Sequence, residues 1–320
     1  MSILDGGAVV DKGNVSFLAY DDYAQSANTL FNFMKEEKYL KGILQQKAIK
    51  PRYCVETVDY LNIHKGDIQF NEVAVLQKCF CDIPFHKLAD TFPLNGTGEN
   101  FEKLGAEEKA ELERNNTHFD YYGKYAIAFS KTWCEQHNFQ PIHYLNKDSH
   151  YTEDFRNLFQ HILTDTDVLD QYVQDVINRL SYIKPLRGIM KRKVRLKGVE
   201  DIEVELYKNF HDEREWRYVP KSSSLEALSM GAVIANPKMV ALHREISQQL
   251  EDEKYSELWL KFSYDDIRYI IVPDAHSRIN IIKEIMDLPM EKFDDGNNIE
   301  LQKQILISKI LVLDEIRRDW

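Results

Sequence analysis

The chain has 320 residues, of which 43% are hydrophobic and 29% charged, and a formal net charge of -11. That is too apolar for a disordered chain and too interrupted by charge for a membrane span, and the acidic balance argues against nucleic-acid binding over the whole surface. The start, Met1-Ser2-Ile3-Leu4-Asp5, has no basic region and no long apolar run, so no signal peptide is expected and the cytoplasm is the expected compartment. Four cysteines, Cys54, Cys79, Cys81 and Cys134, fit a reducing compartment, and their spacing with His matches no zinc pattern, so no metal is expected.

Residues 1–25 are Gly- and Asp-rich without a clear period and read as a lead-in to a single α+β domain over 26–320. Thr29 to Phe33 suits a buried strand, and Glu36 to Gln46 sets Tyr39, Leu40, Ile43 and Leu44 at helical spacing. Pro51 stops that helix and opens another extended segment. Val73 to Cys81 is apolar enough for a central position in a sheet. Residues 90–116 break the pattern with Asn95-Gly96-Thr97-Gly98 and a polar helix from about Glu99, which reads as a surface insertion.

Tyr121 to Phe129 returns to strand character, with His118 just upstream and Gly123 allowing a bulge or a close backbone approach. Lys131, Trp133 and Cys134 read as a helical turn, and Pro141 to Leu145 as a short strand with His143 facing out. Thr164 to Tyr182 carries Val168, Leu169, Tyr172, Val173, Val176, Ile177 and Leu180 on one stripe and reads as one amphipathic helix. Between Lys184 and Lys197 positive charge gathers in an acidic chain, a segment that suits a phosphate or nucleic-acid strand through Lys191, Arg192 and Lys193, or a solvated basic hairpin. Asp201 to Tyr207 alternates strictly, as a half-exposed strand does.

Phe210-His211-Asp212-Glu213-Arg214-Glu215-Trp216-Arg217-Tyr218-Val219-Pro220 is the densest run of charged and aromatic residues. Read as a strand, it puts Glu213 and Glu215 on one face and Arg214 and Trp216 on the other. Two carboxylates in one sheltered place have their pKa values driven apart, as acid–base work requires; on an open surface the same pair only guards a sheet edge. Ser222 onward and Pro237 to Leu250 read as helical, Tyr269 to Pro273 as a buried strand, and Ser277 to Met286 as a helix capped by Ser277. Asp294 to Asn298 is an evident loop, and Ile305 to Leu313 closes the chain as an apolar strand or helix.

Phe31-Asn32-Phe33 with Ile43-Leu44, Cys79-Phe80-Cys81-Asp82-Ile83-Pro84, His118 with Tyr122-Gly123 and Trp133, and Asp212 through Pro220 together resemble the AbiGi family, over most of residues 26–314. The resemblance implies an abortive phage-resistance protein on the antitoxin side of a two-gene system, binding and regulating a partner toxin. More distantly, the layout looks like ADP-ribosyltransferases of the DarT type. That likeness implies a mixed sheet with packed helices, NAD as the cofactor, Glu215 as the catalytic carboxylate and Glu213 as its helper. It implies NAD contacts from Asn32, His118, Tyr122, Lys124 and Arg217, with Tyr122 stacking on nicotinamide and Arg217 or Lys124 meeting the pyrophosphate. Asn32 departs from the His or Arg those enzymes carry there. Two readings stay open, an NAD-dependent transferase and an inactive descendant whose fold serves as a binding surface.

Overall fold

The computed structural model describes residues 26–88, 90–165, 169–194, 202–293 and 298–319. The lead-in, Arg195 and Lys197 of the basic segment, Val168 and the loop at 294–297 lie outside the described residues. The α+β class holds, built around a nine-stranded mixed sheet.

The strands that position the site are β1 (Thr29–Met34), β2 (Arg52–Thr57), β3 (Glu72–Cys81), β4 (Tyr125–Ser130), β5 (Phe139–Pro141), β6 (His143–Leu145), β7 (Ile183–Pro185), β8 (Arg187–Val194), β9 (Ile202–Asn209), β10 (Glu215–Tyr218), β11 (Val233–Ile234), β12 (Ile267–Val272) and β13 (Ile310–Val312). The main path runs β13-β12-β4-β1-β3-β10-β5, antiparallel throughout except for the parallel β12–β13 pair. The apolar run at 73–81 is central, as its composition predicts, and it does something more specific. Its last residue, Cys81, pairs with Phe31 of β1, while Gln77 back to Glu72 pair with β2. On that edge Lys78, Cys79 and Phe80 therefore lie in a split between two strands, while their other edge pairs with β10.

Side-chain alternation explains the layering. Leu30 and Met34 of β1, Phe80 of β3, Ile127 and Phe129 of β4, and Trp216 and Tyr218 of β10 face a core roofed by helices α1 (Glu37–Gln46), α6 (Ala275–Asp287) and α7 (Ile299–Ser308). Phe31, Cys81, Ala126 and Ala128 face the opposite side, against helix α2 (His118–Tyr122). A second core forms where the first half of β3 meets β2, under α4 (His150–Thr164) and α5 (Asp170–Arg179); α3 is the short helix Lys131–Gln136.

Four local expectations change. The run 210–220 is not one strand: Phe210–Glu213 forms a 3₁₀ turn, Arg214 takes a left-handed φ of 43°, and only then does β10 begin. The helix expected over 164–182 begins at Asp170, after α4 has ended at Thr164, and Val173, Val176 and Ile177 pack on the second core as their stripe predicts. The cap of α6 is Asp274, whose carboxylate accepts the Ser277 amide at 2.8 Å, because Ser277 already lies inside the helix. The segment expected as strand from Tyr121 starts as helix α2, and Gly123, at φ 113°, ends it. A Cβ at Gly123 would stand 2.0 Å from the Met34 carbonyl oxygen, so only glycine lets α2 press against the end of β1.

The segment 90–116 packs Phe101, Leu104 and Leu112 against Val204 and Leu206 of β9, and Gly96–Thr97 adds a short strand to the β8–β9 hairpin. That hairpin alternates as expected, Val204, Leu206 and Lys208 facing inward.

Candidate functional site

A cavity of about 280 Å³ opens at the split in the sheet. It takes Phe31 to Phe33 from β1, Cys54 and Glu56 from β2, Gln77 to Cys81 from β3, His118 and Tyr122 from α2, Lys184 from β7, and both Glu213 and Glu215. The volume is near the lower end of the roughly 300–1,000 Å³ usual for ligand pockets, enough for a nucleoside-sized group.

The two carboxylates reach it by different routes. Glu215 starts β10 and pairs with Cys81, so it and Arg217 share the face of Cys79 and Cys81. Glu213 sits in the preceding turn, and the left-handed Arg214 between them turns the chain so that both point to one lysine. Lys184 Nζ donates to Glu213 Oε2 at 2.6 Å and to Glu215 Oε2 at 3.3 Å.

Around Glu213, Lys208 Nζ donates to Oε1 at 2.9 Å, and the Tyr122 hydroxyl donates to the same oxygen. Lys208 also donates to the Tyr122 oxygen at 3.1 Å, and its ammonium lies 4.4 to 5.0 Å from the ring centres of Tyr121, Phe92 and Tyr122. Around Glu215, Arg217 Nε donates to Oε1 at 2.6 Å and the Tyr144 hydroxyl accepts the backbone amide at 2.8 Å. Arg217 is fully buried and spends its other nitrogens on the Glu56 carboxylate at 2.7 Å and the Ser181 carbonyl at 2.8 Å.

Burial alone would raise both carboxyl groups, but facing cations outweigh it. Lys184 and Lys208 hold Glu213 below the usual range, and Arg217 and Lys184 hold Glu215 well below it. Lys184 loses by burial but is driven well up by the two carboxylates; Lys208 stays below the ordinary lysine range because burial wins over Glu213. Burial pushes His118 down to about 3, with the Lys208 charge adding to it, so the ring is a neutral imidazole at pH 7. It lies edge-on to Phe33 and beside Tyr122, at centroid distances of 4.9 and 4.5 Å. Burial also raises the Cys79 and Cys81 thiols well above the ordinary value, which makes them poor nucleophiles.

Of the predicted residues, Glu213, Glu215, Asn32, His118 and Tyr122 come together on this cavity. Asn32 donates from Nδ2 to the Cys79 carbonyl at 2.8 Å, filling a ladder position the split leaves open, while its Oδ1 has no partner among the described residues. Arg217 lies behind Glu215, wholly engaged by protein, and exposed Lys124 does not line the cavity, so neither is placed to meet a pyrophosphate there. The basic segment divides. Lys184 belongs to the cluster, whereas Lys191 and Lys193 face outward on β8 opposite Glu205 and Glu203, and Arg192 turns inward to the Asn115 carbonyl at 2.6 Å and the Tyr121 ring. Lys208, Glu56, Gln77 and Tyr144 were not foreseen. Lys208 had a signal: it occupies the inward register of Val204 and Leu206, where an unpaired charge would be costly.

A curated relative from Lactococcus lactis subsp. cremoris, named "Abortive phage resistance protein AbiGi", is 35% identical over 283 residues, covering 85% of this chain and 100% of the relative. The chain belongs to the AbiGi family. The family's model, described as "Putative abortive phage resistance protein AbiGi, antitoxin", matches residues 110–273. That span of this AbiGi chain holds His118, Tyr122, Lys184, Lys208, Glu213, Glu215 and Arg217, while Asn32 and Glu56 come from outside it. As an AbiGi member it is an abortive phage-resistance protein. No solved structure matches the chain, and none of the described helices is long and apolar enough to cross a membrane.

Proposed function

We propose that this protein acts in abortive infection through the split-sheet cavity, by binding NAD and transferring its ADP-ribose to a protein or nucleic acid. The observation that carries the reading is the joint hold of Lys184 on Glu213 and Glu215 at a cavity wall, because it keeps two buried carboxylates ionised where a ligand can reach them. Breaking the nicotinamide glycosidic bond builds positive charge on the ribose, which a carboxylate near the 2′-hydroxyl stabilises.

The residues present suit such a ligand. A carboxylate has about four acceptor positions. Glu215 fills two of them, with Arg217 and Lys184, and Glu213 fills three with Lys184, Lys208 and Tyr122. Each keeps at least one position for a ligand hydroxyl. Phe33 and neutral His118, set edge-on to each other, supply aromatic surface for a heterocycle to pack against. Calorimetry with NAD on the wild type and on Glu215→Gln tests the reading: saturable binding by the wild type, weakened in the variant, is expected. A wild type that ignores NAD at millimolar concentration would remove its support.

A second reading is favoured by the family's printed description as an antitoxin. On it, the chain restrains a partner toxin by binding, and the cavity cluster serves to hold the scaffold in shape. It predicts that Glu215→Gln, if folded, protects cells from phage as the wild type does, whereas the transferase reading predicts that protection is lost.

A further inference from the structure

One cation on β3 is left out of the ion pairs just described. Lys78 is half-buried and lines the cavity with Arg52, Gln77 and Cys79. Among the described residues its ammonium has no carboxylate or other acceptor within bonding distance, and the charged group that acts on it, Arg52, bears a like charge. The rest of the cluster balances itself, Glu56, Glu213 and Glu215 against Lys184, Lys208 and Arg217. Arg52 is engaged by Glu251 at 2.5 Å.

Nothing in the fold calls for a lysine at that point. Lys78 pairs in register with Tyr218 and shares the face of Phe80, where an apolar side chain would pack. A half-buried ammonium without a counter-ion costs stability and is a mark of a ligand site. Three more atoms on the same cavity are buried and unpaired among the described residues: Asn32 Oδ1, Gln77 Oε1 and His118 Nδ1. Buried polar atoms in native proteins nearly always have partners, so this group points the same way.

Position gives the ligand its polarity. Cys81, which pairs with Glu215, is three residues along β3 from Lys78, roughly 10 Å at the rise of a strand, and Lys78, which starts from the opposite face with Phe80, meets the cavity where the split leaves that edge of β3 without a partner strand. The cavity thus carries its carboxylates at one end and Lys78 at the other. We propose that Lys78 is a phosphate-binding residue, its ammonium meeting the anionic phosphate of a nucleotide whose glycosidic end lies against Glu213 and Glu215. The assignment rests on reading the cavity as an NAD site, and it gives to Lys78 the role that neither Arg217 nor Lys124 is placed to fill.

The test is calorimetry of the full chain with NAD, nicotinamide and inorganic pyrophosphate, on the wild type, Lys78→Met and Lys78→Arg, with thermal melts of each protein alone. Expected are NAD and pyrophosphate binding about ten- to a hundredfold weaker in Lys78→Met, nicotinamide binding unchanged, most NAD affinity kept in Lys78→Arg, and a melting temperature for Lys78→Met equal to or above the wild type. NAD binding equally tight in wild type and Lys78→Met overturns the assignment and leaves the NAD reading standing. So does a Lys78→Met protein that melts lower and loses nicotinamide affinity equally, since Lys78 would then only support the fold. A wild type that ignores NAD but binds pyrophosphate through Lys78 removes the NAD reading and keeps the anion site. Binding neither ligand removes both.

Discussion

Lys184 touches both carboxylates, so its loss acts on two groups at once. Removing one partner of a buried pair leaves charge uncompensated and typically costs about 3–5 kcal/mol. Lys184→Met should therefore lower stability in urea by that order, more than Lys191→Met, whose surface contact with Glu203 at 3.3 Å is worth little. His118 predicts a pH effect of definite sign. Its folded pKa is about 3 against an ordinary 6.5, so as pH falls from 6.5 toward 3 the unfolded chain gains a proton that the native ring refuses. Stability should fall there with a slope approaching about 1.4 kcal/mol per pH unit. The depressed Glu213 and Glu215 are fully stabilising above about 4.5 and lose their contribution only below it, so the upper part of the window isolates the histidine. Urea midpoints measured between about pH 6.5 and 5 should flatten in His118→Phe; an unchanged slope would show that the ring titrates normally. The acidic pair was visible in the sequence as two glutamates one residue apart, yet the reason they meet was not. Strand alternation would have sufficed, but the chain uses a left-handed Arg214, a torsion with no signature in residue type.

The hairpin β8–β9 and the segment 90–116 behave as one unit. Phe101, Leu104 and Leu112 have their apolar partners on β9, and the same strand carries Lys208 into the site. Phe101→Ala should cost about 3–4 kcal/mol within that unit, seen as faster amide exchange over 96–114 and 202–209, with the β1–β4 ladder still protected. Uniform loss of protection would show that the unit has no stability of its own. The alternation of β9 was plain in the sequence. That the polar 90–116 stretch packs against it was not, because three apolar residues spread over twelve positions in an acidic helical region look like surface until a partner strand is in place. The basic run misleads for a related reason: on a strand, neighbouring cations point to opposite faces. With Lys191 and Lys193 lying opposite Glu205 and Glu203, oligonucleotide retention near physiological salt should be slight and insensitive to reversing both charges. Tight binding that falls steeply with salt and disappears on reversal would make the hairpin a phosphate-backbone interface after all.

At the scale of the molecule, the cavity exists because β3 is shared between two sets of strands. Its last residue pairs with β1, its first half with β2, and the three residues between open one edge to a ligand-sized space. Composition identifies β3 as central and apolar, and the mixed sheet was expected from likeness alone, because register between distant strands is fixed by packing and leaves no mark on composition. For the same reason Asn32 and Lys78 could not be joined to Glu215 from sequence, although Asn32 was singled out by likeness. The proposed activity depends on that space receiving NAD against an ionised carboxylate pair. The direct measurement is nicotinamide release from NAD, followed by proton NMR with the wild type and Glu215→Gln, in the presence of cell lysate as a source of acceptors. Release by the wild type, reduced at least about a hundredfold in the folded variant, is the predicted result. Equal release by both proteins, or none by a wild type that binds NAD, would contradict it.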